Sequence, residues 1–141
     1  MKIVLDTNVI IAAFATRGLC TEFLEECFKK CEIILSEYIL SEVTQKLITK
    51  IRVPSVVAQE ISDFLREHAR IVEPETIKES LLKDKEDLPI IGIALAGKAQ
   101  FLITGDKELL RLQKYRNIEI LSPREFWERL KNAKKSNLSS S

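Results

Sequence analysis

Short runs of apolar residues, each ended by a polar residue, are the feature of this sequence that most restricts its fold. The clear runs cover residues 3–5, 33–35, 101–104 and 118–121, and a weaker one covers Ile71 and Val72. Almost uniformly apolar runs of this length are typical of strands covered on both faces of a sheet. Between them the sequence predicts helices at about 8–15, 21–31, 37–52, 54–69, 88–99, 106–114 and 123–133. This alternation implies right-handed crossovers, so we predict an α/β fold, a three-layer α/β/α sandwich with a central, mostly parallel sheet.

The chain is predicted to form a single domain over residues 1–133. Its last helix has a clear start, with Ser122 as N-cap, Pro123 at the first helical position and Glu125 completing a capping box. The charged stretch at 73–87 is predicted to be a loop or a short exposed helix. Residues 134–141 are rich in Lys, Ser and Asn, and we expect a disordered tail there.

The composition excludes several classes of protein. With 22 Lys plus Arg against 21 Asp plus Glu, the net charge of +1 argues against a wholly basic nucleic-acid coat. No apolar run is long enough to span a bilayer, and the start has no cleavable apolar segment, so we expect a cytoplasmic protein without a membrane partner. Cys27 and Cys31 are four residues apart, so we expect them to share a helix face and to pack as small apolar residues. A zinc site is disfavoured, because it would need a fourth ligand and His68 is the only histidine and lies far away in the sequence.

Acidic residues follow several of the predicted strands. Asp6 comes directly after the first run, and Asp106 comes just after the run that begins at 101. Asp87 precedes an apolar helix that leads into that same run, and Glu42 lies in the helix after the second run. In an open parallel sheet, ligands bind beyond the carboxyl ends of the strands. We therefore expect these acids to meet at one edge of the sheet.

Each acid also has a purely structural explanation. Asp6, Asp87 and Asp106 are favourable residues for capping helix N-termini, and Glu42 would pair with Lys46 one helical turn later. Three caps at one sheet edge would crowd negative charge, however, and like carboxylates raise one another's pKa unless a cation is present. Oxygen-only sites of this type bind hard divalent ions such as Mg²⁺ or Mn²⁺. Taken together, the acids favour a metal site.

The ordered motifs resemble those of the PIN-domain nucleases over about residues 1–130. The resemblance rests on Ile-Val-Leu-Asp6-Thr7-Asn8, Ser41-Glu42, Asp87 followed by Ala94, Leu102-Ile103-Thr104-Gly105-Asp106, and Ser122-Pro123-Arg124-Glu125-Phe126. Within the family, the chain is most similar to small bacterial and archaeal proteins classed as toxins of toxin–antitoxin pairs, the VapC-like group. Many relatives have another polar or acidic residue after the third acid, where this chain has Leu88-Pro89. That departure puts in doubt an auxiliary metal contact and leaves the four acids unaffected.

The resemblance implies a PIN-like, Rossmann-like fold and a metal-dependent endoribonuclease that cleaves single-stranded RNA. The catalytic residues would be four acids that also serve as metal ligands: Asp6, Glu42, Asp87 and Asp106. They would hold Mg²⁺ or Mn²⁺ ions that activate a water. Asn8 and Thr104 would position that water or the scissile phosphate. The single histidine agrees with this, because a ribonuclease that uses histidine acid–base chemistry normally needs more than one.

Basic residues near the acids would bind the RNA backbone. Lys46 and Lys50 follow Glu42 at helical spacing, and Lys107 and Arg111 lie four residues apart in the next helix after the last acid. They would hold phosphates flanking the cut, and ordinary solvated helix faces explain them equally well. Only 6% of the residues are aromatic, so the sequence predicts recognition through shape and backbone, without a base-stacking platform.

Apolar residues exceed what a core needs in the two predicted helices within about 37–69. The surplus would form a homodimer interface, which the resemblance also favours, or a groove for a cognate antitoxin protein. A second hypothesis is a catalytically inactive PIN-like module that binds RNA or protein. A third is phosphotransfer through an aspartyl phosphate on Asp6. Haloacid-dehalogenase-like phosphatases have a second aspartate where this chain has Asn8, which disfavours the third hypothesis.

Overall fold

A six-stranded sheet forms the centre of the computed structural model, which describes residues 1–15, 19–77 and 88–139. Its strands are β1 (Lys2–Leu5), β2 (Glu32–Leu35), β3 (Ala69–Ile71), β4 (Phe101–Ile103), β5 (Lys114–Tyr115) and β6 (Ile118–Leu121). The helices of the described residues are α1 (Thr7–Ala15), α2 (Leu19–Lys30), α3 (Glu37–Thr49), α4 (Ser55–His68), α5 (Leu88–Ala96), α6 (Lys107–Leu112) and α7 (Pro123–Ser139). The predicted α/β sandwich with a mostly parallel sheet is confirmed.

The strand order is β3-β2-β1-β4-β6-β5, with β1 in the middle. Val4 of β1 is in register with Ile34 of β2 on one side and with Leu102 of β4 on the other, and both pairings are parallel. From β1 the chain runs outward through β2 to β3, and β4 then returns to the other side of β1. The reversal places the topological switch between β1 and β4, which is where open α/β sheets bind their ligands.

The core explains why the central strand is uniformly apolar. Ile3, Val4 and Leu5 of β1 are each 0% exposed, since helices cover both faces of the sheet. On α7, Phe126 is fully buried and its ring lies 5.4 Å from that of Phe101 and 6.2 Å from that of Phe23. This helix therefore closes one face against β4 and α2. Across the described residues, no helix combines the length and apolar character needed to cross a membrane.

The ends of α7 show one agreement and one difference with the sequence. The predicted capping box is confirmed, since Glu125 N–H donates to Ser122 Oγ and Ser122 N–H donates to Glu125 Oε1, both at 3.1 Å. The helix then continues to Ser139, so the backbone of 134–139 is helical where the sequence predicted a disordered tail. No Gly or Pro interrupts this stretch, and its Lys and Leu residues favour helix. Residues 140 and 141 lie outside the described residues.

The segment after α6 is the second difference. The sequence predicted a helix through residue 114, but α6 ends at Leu112 and Gln113 adopts a left-handed conformation with φ 59°. The chain then forms β5, which pairs antiparallel with β6. Of the predicted loop at 73–87, residues 73–77 have no regular structure, and 78–87 lie outside the described residues.

Candidate active site

A cleft of about 150 Å³ opens at the carboxyl ends of the central strands. Its lining mixes carboxylates with an amide, a hydroxyl, an ammonium group and apolar side chains: Asp6, Thr7, Asn8, Tyr38, Ile39, Glu42, Lys46, Ile90, Ile93 and Asp106. Three of the four predicted acids therefore share one cleft at the topological switch. The fourth, Asp87, lies outside the described residues.

Asp6 is held at the point where β1 ends and α1 begins. Its N–H donates to Ile103 O at 2.9 Å, which extends the pairing with β4 by one residue. Its Oδ1 accepts the Thr7 N–H at 2.8 Å, and its Oδ2 accepts the Thr104 hydroxyl at 2.7 Å. Burial raises the pKa of Asp6 above its ordinary value, the hydrogen bonds from Thr104 and Thr7 oppose this rise, Asp106 adds to it and Lys46 lowers it. A cation in the cleft would offset both the desolvation cost of the charged Asp6 carboxylate and its repulsion by Asp106.

Thr104 connects two of the acids from beneath the cleft. It is 0% exposed, and its hydroxyl oxygen accepts the Asp106 N–H at 3.0 Å while its proton is donated to Asp6. Asp106 in turn caps α6, because its Oδ1 accepts the N–H groups of Glu108 at 2.8 Å and Leu109 at 3.2 Å. The capping explanation of Asp106 is therefore correct, and the same side chain also lines the cleft.

A second buried threonine holds Glu42. Thr7 is 3% exposed, and its hydroxyl donates to Glu42 Oε1 at 3.1 Å, joining α1 to α3. Thr7 has no role of its own in the sequence-based predictions. The signal was available in its position, since Thr7 lies three residues before the buried Ile10 and so faces inward on α1.

The basic residues predicted near the acids separate into two groups. Lys46 enters the cleft, where its Nζ donates to Asn8 Oδ1 at 3.3 Å. Lys50, Lys107 and Arg111 are exposed on the surface and do not contribute to the lining. Any binding role of this second group would therefore lie outside the cleft.

The chemistry of the donors suits a hard divalent cation. Asp6, Glu42 and Asp106 offer carboxylate oxygens, and Asn8 adds an amide oxygen, with neither His nor Cys in the lining. Within the described ranges, no three Asp, Glu, His or Cys side chains converge closely enough to hold a metal ion as a group. The donor types and the net negative charge therefore fit such an ion, while the described acids stand apart around the cleft.

Tyr38 lines the cleft but is not among the site residues predicted from the sequence. Its side chain is 52% exposed, although most large apolar residues of α3 are buried. It lies four residues before Glu42, so both side chains project from the same face of α3. This four-residue spacing from Glu42 could have identified Tyr38 as a site residue. The low aromatic content instead led to the prediction of recognition without a base-stacking platform.

Comparisons with known proteins agree with this fold. A chain of the VapBC2 structure from Rickettsia felis, bound to a DNA fragment from their promoter, superposes with a TM-score of 0.63 at 18% identity and covers 86% of this chain and 98% of its own. VapBC-1 from nontypeable Haemophilus influenzae gives 0.63 at 19% identity, with 88% and 99% covered. The protein PAE2754 from Pyrobaculum aerophilum gives 0.62 at 17% identity, with 94% and 90% covered. No curated protein sequence matches the chain significantly.

The family itself is shown by sequence. The profile of the PIN domain, a family whose members are in general divalent-metal-dependent nucleases, matches residues 2–108. The match includes the segments that supply Asp6, Glu42 and Asp106. Since it spans well over half of the 141 residues, the chain belongs to the PIN-domain family.

Proposed function

We propose that this protein is a metal-dependent endoribonuclease that cleaves single-stranded RNA. The observation that carries the proposal is the cleft at the topological switch, which Asp6, Glu42 and Asp106 line from three separate parts of the chain. Each acid is oriented by a hydrogen bond, Asp6 and Glu42 from a buried threonine hydroxyl and Asp106 from backbone N–H groups. Acids held this firmly in a partly buried cleft are typical of a site that binds a charged ligand.

The acids would hold Mg²⁺ or Mn²⁺ between them, with Asp87 as the fourth member of the set. A divalent ion bound there lowers the pKa of a coordinated water and neutralises charge on the phosphate. The chain itself keeps Asp6 in place through Thr104 and keeps Glu42 in place through Thr7. The threonines thereby limit side-chain reorganisation when substrate enters, which favours catalysis.

Lys46 and Asn8 would bind the RNA backbone. Their side chains are already joined in the cleft, where Lys46 Nζ donates to Asn8 Oδ1 at 3.3 Å. A phosphate oxygen would take the place of the Asn8 oxygen as the acceptor for Lys46, while the Asn8 amide N–H donates to a second phosphate oxygen. Lys50, Lys107 and Arg111 would contact flanking phosphates at the exposed surface.

RNA cleavage in the presence of each metal tests the proposal directly. An unstructured RNA is incubated with Mg²⁺ or Mn²⁺ and with wild-type protein, Asp6→Asn or Asp63→Asn. Asp63 is a matched control, because it is an exposed acid on α4 outside the cleft. We expect metal-dependent cleavage by the wild type and by Asp63→Asn, with a loss of at least about a hundredfold in Asp6→Asn. Equal cleavage by Asp6→Asn would contradict the proposed site.

One observation favours the second candidate, an inactive PIN-like module that binds RNA or protein. The described acids do not converge as a metal-binding group. Calorimetric titration with Mn²⁺ separates the two functions. Sub-millimolar affinity that is lost in Asp87→Asn supports the enzyme, whereas RNA binding without measurable Mn²⁺ affinity or turnover supports the module.

We further propose that the protein is the toxin component of a toxin–antitoxin pair, acting in the cytoplasm. The support is the similarity of its fold to chains of the VapBC2 and VapBC-1 structures, which are toxin–antitoxin structures. A small DNA-binding protein encoded in the adjacent reading frame, which co-purifies with this chain and inhibits cleavage, is the expected result. If the adjacent reading frames encode no such DNA-binding protein, this assignment is contradicted and the nuclease proposal is unaffected.

An exposed apolar patch on α3 and α4, with its connecting loop, supports the proposed homodimer. It consists of Ile48, Ile51, Val56, Val57 and Phe64. Val56 is the most exposed member at 68%, and Phe64 is 43% exposed. Exposed apolar side chains gathered on two neighbouring helices are typical of an interface between proteins.

A further inference from the structure

One face of α3 carries an aromatic ring, a carboxylate and an ammonium group at successive turns beside the cleft. Tyr38, Glu42 and Lys46 are four residues apart, and all three line the cleft. Each step of four residues advances about 6 Å along a helix axis. The 52% exposed side chain of Tyr38 is therefore one turn from the acid, and the cation is one turn beyond it on the other side.

The first turn of α3, where Tyr38 lies, is fixed from two directions. Ser36 caps the helix, since its Oγ accepts the Ile39 N–H at 3.2 Å. Arg66 of α4 donates to both carboxylate oxygens of Glu37, at 2.7 Å and 3.3 Å. A tyrosine side chain has only two torsions to order, so fixing the Tyr38 ring against a ligand at the cleft would cost little entropy.

We propose that Tyr38 stacks on one unpaired nucleobase of the RNA, next to the scissile phosphate bound at the acids of the cleft. The inference rests on the proposed function and adds to it a reason for the preference for single strands. Bases in an RNA duplex are already paired and stacked, so they have no free face to offer the ring, whereas a single strand can turn one base outward. With Lys46 holding a backbone phosphate beyond Glu42, the strand is bound on both sides of the acids.

Binding measurements test this contact separately from catalysis. A labelled, unstructured RNA is titrated against proteins that all carry Asp6→Asn, so that the RNA stays intact. Tyr38→Leu is expected to weaken binding roughly tenfold, because stacking on an aromatic side chain contributes strongly for each base. Tyr38→Phe, which keeps the ring, is expected to stay within about twofold. Phe14→Leu is the matched control, since it removes a partly exposed ring that lies outside both the cleft and the apolar patch.

A second arm shows whether a base is the partner. Abasic sites are placed singly along the RNA, and each RNA is measured with Tyr38 and with Tyr38→Leu. At one position the abasic RNA should bind roughly tenfold more weakly to the Tyr38 protein, and Tyr38→Leu should then cause no further loss. Losses that multiply at every position would overturn the inference, since Tyr38 would then contact sugar or phosphate.

The remaining outcomes distinguish this inference from the proposed function. If the Asp6→Asn protein binds RNA and the added Tyr38→Leu substitution leaves its affinity unchanged, the inference is wrong and the proposed function is unaffected. If neither the Asp6→Asn protein nor the wild-type protein binds RNA, the proposed function fails and the inference fails with it. Equal affinity for duplex and single-stranded RNA would also overturn the inference.

Discussion

The hydroxyl of Thr104 donates a 2.7 Å hydrogen bond to Asp6, although the two residues are 98 positions apart in the chain. The bond joins the carboxyl ends of β1 and β4, the two strands on either side of the topological switch. Because the same hydroxyl accepts the Asp106 N–H, one buried side chain sets the relative positions of two of the acids. The geometry of the site thus depends on a residue that lies beneath the cleft and outside its lining.

Thr104→Val is expected to impair both stability and activity. Valine keeps the shape of threonine but leaves the Asp106 N–H without its acceptor and Asp6 Oδ2 without its donor. The free energy of unfolding should fall by about 1–3 kcal/mol, measured by urea denaturation, and Mn²⁺ affinity and RNA cleavage should fall together. Thr104→Ser keeps the hydroxyl and should preserve metal binding and cleavage. A valine variant with wild-type cleavage would show that Thr104 does not position Asp6.

Asp106 has two roles that substitution can separate. Its Oδ1 caps α6, and its charge contributes to the cleft. Asparagine caps helices about as well as aspartate, so Asp106→Asn should keep the wild-type melting temperature and lose cleavage. Asp106→Ala should lose cleavage and also about 1 kcal/mol of stability. Equal melting temperatures for the asparagine and alanine variants would indicate that the cap contributes nothing.

Gly92 of α5 is expected to tolerate no side chain. Its carbonyl accepts the Glu75 N–H at 3.0 Å, and a Cβ built on Gly92 would collide with the Glu75 carbonyl oxygen. Gly92→Ala should therefore destabilise the protein by about 1–3 kcal/mol in thermal or urea denaturation. Gly105→Ala is the control, because no atom lies within 4 Å of the corresponding Cβ. Its stability should change by less than about 1 kcal/mol.

A charge placed in the apolar patch is expected to dissociate the proposed homodimer. Val56→Glu should shift the sedimentation coefficient from dimer to monomer, since an unpaired carboxylate is costly to bury at an interface. Phe14→Glu places the same charge on α1, where Phe14 is 36% exposed and outside the patch, and it should leave the dimer intact. A wild-type protein that sediments as a monomer at micromolar concentration would contradict the proposal.

The centre of the sheet could be predicted because β1, β2 and β4 are almost uniformly apolar and each is followed by a polar residue. β5 could not, since a two-residue strand has no periodicity and the left-handed Gln113 before it is not marked by glycine. Asp6 and Asp106 could be placed at one edge because Asp6 directly follows β1 and Asp106 lies three residues after the end of β4. The threonine contacts could not be predicted, because a hydroxyl finds its partner only after distant strands have paired. The position of Asp87 remains a prediction.

The outer strands of the sheet have a consequence for how the protein behaves at high concentration. β3 contains three residues and β5 contains two, so each edge exposes only a few unpaired backbone N–H and C=O groups. Long, regular edges are the usual starting points for strand-to-strand aggregation between molecules, and short ones resist it. The polypeptide should therefore stay dispersed when it accumulates, and any self-association would proceed through side chains on its helices.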